Sequence, residues 1–196
     1  MPVRVKLRGI SVVLVAGSLV ALLSSAATAQ VDVLTQHNDN ARSGANLRET
    51  VLTPASVDKA RFGMVFKRVL DDQLYTQPLV VTQVTVGGGT HDIVYVTTVN
   101  NSVYAFDAND ADATSPIWHV NFGTPANLHS APFGCLDMNG QRGIVGTPVI
   151  DRERGVLYVV ALTRAGAGFP QRLHPLELAT GAALPARPAE STASRL

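Results

Sequence analysis

The stretch that decides the fold is Ser102-Val103-Tyr104-Ala105-Phe106-Asp107-Ala108, in which aromatic side chains occupy alternate positions. Alternate residues of a β-strand lie on the same face, so this spacing predicts a strand with one aromatic face. The turn-forming run Asn100-Asn101-Ser102 precedes it, and the strongly β-prone residues 93–98 precede the turn. Together these stretches predict an antiparallel hairpin.

The rest of the chain continues this pattern of short strands. No segment has the apolar periodicity and end caps of an amphipathic helix, so the sequence predicts an all-β protein. Residues 121–143 contain Gly, Pro, Asn and His without periodicity, and are predicted to form a long loop. Further strands are predicted at residues 62–70, 79–86, 117–120, 147–150 and 156–162.

An internal repeat links the two halves of this region. Residues 77–80 match 147–150, and residues 94–96 match 157–159. Residues 103–108 match 173–178 more weakly, again with an offset of 70 in the numbering. Without the long loop, the repeating unit has about 40–50 residues and four short strands, which is the size of a β-propeller blade.

Residues 102–108, followed by Pro116-Ile117-Trp118, resemble the repeat of quinoprotein-like (PQQ-type) β-propellers. Residues 173–181 form a poorer second copy, and residues 36–46 resemble the N-terminal region of secreted bacterial propellers of this group. Over residues 35–181 the resemblance implies a partial β-propeller of four-stranded antiparallel blades, like quinoprotein alcohol dehydrogenases. About two blades are present, at residues 76–120 and 146–181 within a repeat region of 62–181.

The chain departs from this repeat at several points. Pro175 falls inside a predicted strand, Glu177 replaces the usual Asp, and no Trp-bearing fourth strand follows Gly181. Residues 182–196 are predicted to be a disordered or aberrant tail. By the family pattern, residues 62–70 are a closing strand whose partners lie in absent sequence. We therefore expect a truncated or frameshifted member of a longer family.

Large aromatic residues on the strands are predicted to stack neighbouring blades together rather than to contact a ligand. A chain with so few blades leaves blade faces exposed, and we expect such faces to promote aggregation. The residues concerned are Tyr95, Tyr104, Phe106, Trp118 and Tyr158.

Residues 1–29 have the order of a secretory signal peptide. Arg4, Lys6 and Arg8 precede an uncharged apolar run at residues 10–23, and Ala27-Thr28-Ala29 is a cleavage pattern. The run is short of the roughly 20 residues that span a bilayer, which argues against a transmembrane anchor. We expect cleavage after Ala29 and a secreted or periplasmic protein.

Composition limits the classes of partner. The whole chain has a formal charge of +1, but the chain after residue 29 has 13 basic and 15 acidic residues. This net charge of −2 gives no support for binding to nucleic acid or to an anionic membrane. No second long apolar segment follows, so no stable membrane insertion is expected after cleavage.

The single Cys135 excludes an intramolecular disulfide. A buried thiol and an intermolecular disulfide partner both stay open.

The densest polar cluster lies in the N-terminal loop region, residues 30–61. His37, Asn38, Asp39 and Arg42 are the candidate ligand-binding residues of this chain. The same residue types also cap loops through hydrogen bonds between side chain and backbone. Both interpretations are open from the sequence.

The sequence contains few of the residues and motifs that an enzyme would need. Dehydrogenases of the resembled superfamily hold PQQ and Ca²⁺ through oxygen ligands, and many stack the quinone on adjacent cysteines, whereas this chain has one cysteine. Asp71, Asp72, Asp107 and Asp137 are available oxygen donors, but solvated turn residues are the simpler interpretation. His129-Ser130 lacks the nucleophile-elbow motif of a hydrolase. We therefore predict no catalytic residue, no bound metal and no cofactor.

These observations predict an exported, non-catalytic β-propeller scaffold or binding module. Its expected ligand is a protein or a carbohydrate. The alternative is a fragment of a PQQ-dependent quinoprotein oxidoreductase, which would require PQQ with Ca²⁺.

Overall fold

The computed structural model of the chain describes residues 31–58, 60, 62–127, 129 and 140–185. Within these residues the chain forms β-strands and no helix, which confirms the all-β prediction. The strands form three small antiparallel sheets, none of which closes on itself. In chain order they are β1 (Leu79–Val86), β2 (Gly89–Thr97), β3 (Ser102–Asp107), β4 (Trp118–Asn121), β5 (Ala126–Asn127), β6 (Gln141–Arg142), β7 (Val149–Asp151), β8 (Val156–Leu162) and β9 (Gln171–Glu177).

The predicted hairpin forms the centre of a four-stranded sheet with the order β1-β2-β3-β4. At its turn, Asn101 has a φ of 62°, a left-handed conformation that Asn tolerates better than most residues. Gly87 and Gly88, with φ values of 60° and 84°, make the turn between β1 and β2. Local turn chemistry therefore sets the antiparallel order of this sheet.

A second sheet, with the order β7-β8-β9, repeats the register of the first. In the first sheet, Leu79, Tyr95, Ala105 and Trp118 stand opposite one another in one row. In the second sheet, the equivalent row is Val149, Tyr158 and Pro175. The internal repeat seen in the sequence thus corresponds to equivalent positions in two sheets.

The two sheets stack face to face around a common apolar core. Tyr95 and Trp118, on the first sheet, both donate hydrogen bonds to the carbonyl oxygen of Leu178 beyond β9, at 3.0 and 2.9 Å. Their rings lie 5.8 Å apart, and the Trp118 ring lies against Gly181. The core contains Leu79, Val81, Ile93, Tyr95, Val103, Ala105, Trp118, Ile144, Ile150, Leu157, Val159, Ala161, Leu176 and Leu178.

Residues 62–70, predicted as a closing strand with partners in absent sequence, are not paired in any of the three sheets. From Val65 to Leu70 the side chains alternate between exposed and half-buried, but no neighbouring strand in the described part of the chain pairs with this stretch. It lies over the far face of the first sheet, where the Arg68 guanidinium is 4.3 Å from the Phe66 ring and 6.0 Å from the Phe106 ring. Alternating apolar residues predict a β-conformation, but a strand also needs a partner for its backbone groups.

Pro175 is tolerated inside β9 because of the direction in which its nitrogen points. Its carbonyl oxygen accepts a hydrogen bond from Leu184 N at 2.9 Å, on the side away from β8. The nitrogen of a strand residue points the same way as its carbonyl, so the missing N–H does not interrupt the β8–β9 ladder. Residues 182–184, predicted to begin the tail, run antiparallel to β9 through the Leu176–Ala183 bridge.

The long loop predicted at residues 121–143 contains a short ladder, in which β5 pairs with β6. Several sequence predictions lie outside the described residues: the signal peptide, Cys135, Asp137, Ser130 and residues 186–196. None of the structure that is described includes a helix of sufficient length and apolar character to cross a membrane.

Candidate functional site

A cleft opens where the two stacked sheets diverge at one end. Its volume is about 310 Å³, and it lies between β1, the β7–β8 turn and the residues after β9. The floor is apolar and the rim is charged. The lining residues are Val81, Thr82, Gln83, Val84, Arg152, Arg154, Gly155, Glu177, Leu178, Ala179 and Leu184.

Arg152 fixes one wall of the cleft by linking three parts of the chain. Its Nη1 lies 2.6 Å from Asp32 Oδ2, and its Nη2 donates to the carbonyl oxygen of Thr82 at 2.9 Å. Asp32 Oδ1 accepts hydrogen bonds from both the backbone N and Oγ1 of Thr82, at 2.8 and 2.9 Å. The N-terminal segment therefore holds the two sheets together at the cleft.

The N-terminal segment also joins the sheets through its backbone. Val33 exchanges two hydrogen bonds with Val80 of β1, at 2.8 and 3.0 Å, and the Leu34 carbonyl accepts one from Ile150 of β7 at 2.8 Å. The edges of both sheets are thereby hydrogen-bonded to the same short segment. The geometry of the cleft therefore depends on this segment as well as on the two sheets.

The opposite rim carries groups that are available to a ligand. The Arg154 side chain is 76% exposed, and its guanidinium pairs with Asp151 at 2.9 Å. Hydrogen bonds from the backbone and side chain of Arg154 lower the pKa of Asp151. Glu177 accepts a hydrogen bond from Thr180 through Oε2 at 2.5 Å and is exposed. Donors and an acceptor thus face the same opening.

Gln83 reaches the cleft through an irregularity in β1. The register between β1 and β2 shifts between Val81 and Val84, and Gln83 has a φ of 55°. Its backbone N donates to Asp92 Oδ1 at 2.9 Å instead of to the ladder. A bulge of this kind re-aims a side chain at the end of a strand.

The sequence-predicted cluster at residues 37–42 is a tight loop away from this cleft. Arg42 Nη1 donates to Thr35 Oγ1 and to the Gln36 carbonyl, both at 2.6 Å. Asn38 Nδ2 donates to the Ala45 carbonyl at 2.7 Å, and Asp39 accepts hydrogen bonds from Ser43. These Ser43 hydrogen bonds lower the pKa of Asp39.

His37 differs from its neighbours in this loop because its imidazole is exposed and makes no hydrogen bond in the described structure. Its backbone N donates to Gln77 Oε1 at 2.9 Å, which anchors the loop to the start of the first sheet. His37, Asn38 and Arg42 all have positive φ values, of 57°, 71° and 58°. The polar groups of this loop are largely used to hold its own backbone.

A cluster of Asp71, Ser102 and His119 contains the residue types of a serine hydrolase, but in the wrong order. Asp71 bonds to Ser102 Oγ rather than to His119, whose Nε2 lies 3.1 Å from the same oxygen. Ser102 is completely buried. In a triad, the acid orients the histidine and the serine faces the substrate. This cluster therefore fastens residue 71 to the hairpin.

The charge state of Asp71 agrees with this structural role. Burial alone raises its pKa, but hydrogen bonds from Ser102, Asn100 and Thr98 outweigh burial and lower it. The Thr98 and Asn100 hydrogen bonds are both 2.8 Å long. An ionised carboxylate with its lone pairs used in this way is a poor general base.

The described residues do not fit a PQQ and Ca²⁺ site. No group of three or more His, Cys, Asp or Glu residues among them is placed to hold a metal ion. Two of the oxygen donors named from the sequence have other partners. Asp71 accepts hydrogen bonds from Thr98, Asn100 and Ser102. Asp107 lies 2.7 Å from His91 Nδ1 and accepts a hydrogen bond from the backbone N of Asn109 at 2.8 Å. The carboxylates of Asp71 and Asp107 are therefore already engaged within the sheet and its turns.

His174 is a titratable group at the interface between the sheets. Its ring stacks on Phe122 at 3.9 Å, and its buried Nε2 has no hydrogen-bond partner in the described structure. Burial, and to a lesser extent the charge of Arg172, lower the pKa of His174 from 6.5. The folded protein therefore favours the neutral ring.

Acidification is expected to destabilise the protein through this histidine. Because the unfolded chain binds the proton more readily, stability is retained above pH 6.5 and falls as the pH drops from there to the lower folded pKa. Melting temperatures measured from pH 7.5 to pH 5 should fall less for His174→Gln than for the parent chain. The exposed His37→Gln is the control. Parallel curves for the parent and His174→Gln would contradict the expectation.

Sequence reasoning missed the cleft. Asp32 and Arg152 are 120 residues apart, and nothing in either local pattern points to the other. Among the residues that line the cleft, the sequence singled out Glu177, because it stands where the first copy of the repeat has Asp107. Comparison of the chain with protein-family models, with curated proteins and with solved structures finds no match. The resemblance to quinoprotein-like propellers therefore stays a prediction.

Proposed function

We propose that this chain is an exported, non-catalytic binding module on a propeller-like scaffold, and that it binds a carbohydrate in the cleft between its sheets. The observation that carries the proposal is the cleft itself, an apolar floor bordered by a guanidinium and a carboxylate. The shared register of the two sheets supports a blade-like scaffold. The order of charged, apolar and small residues in 1–29 supports export.

The size and lining of the cleft favour a small polar ligand. Ligand sites commonly measure about 300–1,000 Å³, and this cleft is at the lower end of that range. Sugar hydroxyl groups both donate and accept hydrogen bonds. Arg154 can donate to them and Glu177 can accept from them, while Val81 and Val84 can contact the less polar face of a sugar ring. A protein ligand would present a larger surface than this opening admits.

Ion pairs at the rim of the cleft support the proposed binding role. Arg152 is held in place by Asp32, and Arg154 by Asp151. Arg152, which also donates to the Thr82 carbonyl oxygen, is therefore preorganised before a ligand binds. Preorganised polar groups increase affinity because fewer side chains lose freedom on binding.

The test is calorimetric titration of the full chain with a panel of neutral and acidic mono- and oligosaccharides. We expect saturable binding of at least one sugar at one site per chain. Glu177→Gln and Arg154→Met should each weaken that binding about ten- to one-hundred-fold, because each removes a charge-assisted hydrogen bond of roughly 1.5–3 kcal/mol.

The matched control is Arg164→Met, which removes an exposed arginine that does not line the cleft. It should leave the affinity unchanged. Equal losses in Arg164→Met and Arg154→Met would show nonspecific charge effects, and the absence of sugar binding by a folded chain would overturn the proposal.

A further inference from the structure

The stacking order of this chain leaves apolar surfaces at its two opposite ends. The order is the stretch at residues 62–73, here called the cover segment, then the first sheet, then the second sheet. One end is the outer side of the cover segment. The other end is the face of the second sheet that points away from the first.

The face at the second end, called the sheet surface, consists of apolar residues that are partly exposed. Val149 and Val160 are each 46% exposed, and Leu173 is 39% exposed. They stand in two cross-strand rows, Val149–Tyr158–Pro175 and Val160–Leu173. The sheet surface therefore comprises Val149, Tyr158, Val160, Leu173 and Pro175.

The internal repeat identifies the face of the first sheet that is equivalent to the sheet surface. Its rows are equivalent to Leu79–Tyr95–Ala105 and Thr97–Val103 in the first sheet. In the first sheet that face is buried, because it packs on the second sheet. The same face in the second sheet carries mostly apolar side chains at these equivalent positions, and Val149, Val160 and Leu173 on it are exposed in the described structure.

The surface at the first end, called the cover surface, consists of the outward side chains Val65, Lys67 and Val69. Val65 is 85% exposed and Val69 is 86% exposed, while the intervening Phe66 and Arg68 turn toward the first sheet. Alternation places the two valines on the same side of the segment, where they form an exposed apolar patch that a partner can cover.

Charge is also complementary between the two ends. The exposed Lys67 lies between the two valines of the cover surface. Glu177 and Asp151 lie in the register row beside the sheet surface, and Asp151 is already paired with Arg154. Glu177 has no cationic partner among the described residues, which leaves it available to Lys67 of another molecule.

We propose that a second copy of this chain binds head to tail, with its cover surface on the sheet surface of the first. Because the two surfaces differ and lie at opposite ends, the contact leaves one of each free in the dimer. Such a heterologous contact adds further copies instead of stopping at a two-fold dimer. The sugar cleft is not part of this contact, except that Glu177 borders both.

The experiment is sedimentation velocity of the full chain across micromolar to millimolar concentrations. We expect a weight-average mass that rises with concentration past the dimer. The cover variant, Val65→Glu with Val69→Glu, and the sheet variant, Val160→Glu with Leu173→Glu, should each be monomeric. All four positions are exposed, so circular dichroism and melting temperature should show both variants folded. Leu47→Glu, at a 93% exposed residue on neither surface, is the control and should associate like the parent.

Mixing the two variants decides the geometry. Each keeps one intact surface, so an equimolar mixture should form dimers of about twice the monomer mass and nothing larger. A parent chain that stays monomeric would overturn the proposal, as would a single variant that still dimerises or a mixture that stays monomeric. Sugar titration of the monomeric cover variant, whose cleft is intact, tests the proposed function separately.

Discussion

Substitution of Trp118 by alanine is expected to lower the free energy of unfolding by about 3–5 kcal/mol, the usual range for removing a large aromatic side chain from a core. Trp118 is 8% exposed and joins the two sheets. Its Nε1 donates to the Leu178 carbonyl, and its ring contacts Gly181. Alanine would remove the hydrogen bond and leave a cavity between the sheets.

Trp118→Phe separates packing from hydrogen bonding. It retains an aromatic ring but not the donor, so the Leu178 carbonyl keeps only Tyr95 as a partner. We expect a smaller loss, of about 1–3 kcal/mol. Guanidinium unfolding followed by far-UV circular dichroism measures both variants.

The parent chain offers a second probe of the same contact, since Trp118 is the single tryptophan of the sequence. Its fluorescence reports on the interface between the sheets directly. Coincident fluorescence and dichroism transitions would show that the sheets separate as the strands unfold. A Trp118→Ala chain as stable as the parent would contradict the shared core.

The second large effect is expected at Gly143, where alanine should cost about 3 kcal/mol. Gly143 is buried, and a Cβ there would lie 2.3 Å from Asn101 Oδ1 and 2.5 Å from the Val99 carbonyl oxygen. Asn101 is itself fully buried and donates to the carbonyl oxygens of Gly123 and Leu162, at 3.1 and 2.9 Å. The added methyl group would push Asn101 away from both acceptors.

Gly146→Ala is the matched control for this substitution. It lies three residues further along, and a Cβ there meets no atom within 4 Å. Its stability should lie within about 0.5 kcal/mol of the parent. Equal melting curves for Gly143→Ala and Gly146→Ala would refute the assignment.

The double variant Gly143→Ala with Asn101→Gly tests the origin of the cost. Glycine accepts the left-handed backbone of residue 101 and removes the side chain that the methyl group added at position 143 would strike. The two substitutions should therefore be non-additive, with part of the loss remaining because the Val99 carbonyl still crowds that methyl group.

The sequence by itself determined the strands of the two repeated sheets. Residues 102–108 alternate their aromatic side chains, and Asn101 and Gly87-Gly88 suit the turns that connect the strands. These signals are local: a turn needs particular residues at particular positions, and a half-buried strand needs alternation. The repeat between 94–96 and 157–159 predicted equivalent positions in two sheets for the same reason.

The tertiary structure alone decided which faces are covered and which polar groups meet. Residues 62–70 have the alternation of a strand but remain unpaired, since a ladder depends on a neighbour that local sequence does not specify. Tyr95 and Tyr158 are equivalent in the repeat, yet Tyr95 is buried and Tyr158 lies on an open face. The Asp32–Arg152 pair that shapes the cleft forms only when both sheets are in place, because it joins residues 120 positions apart.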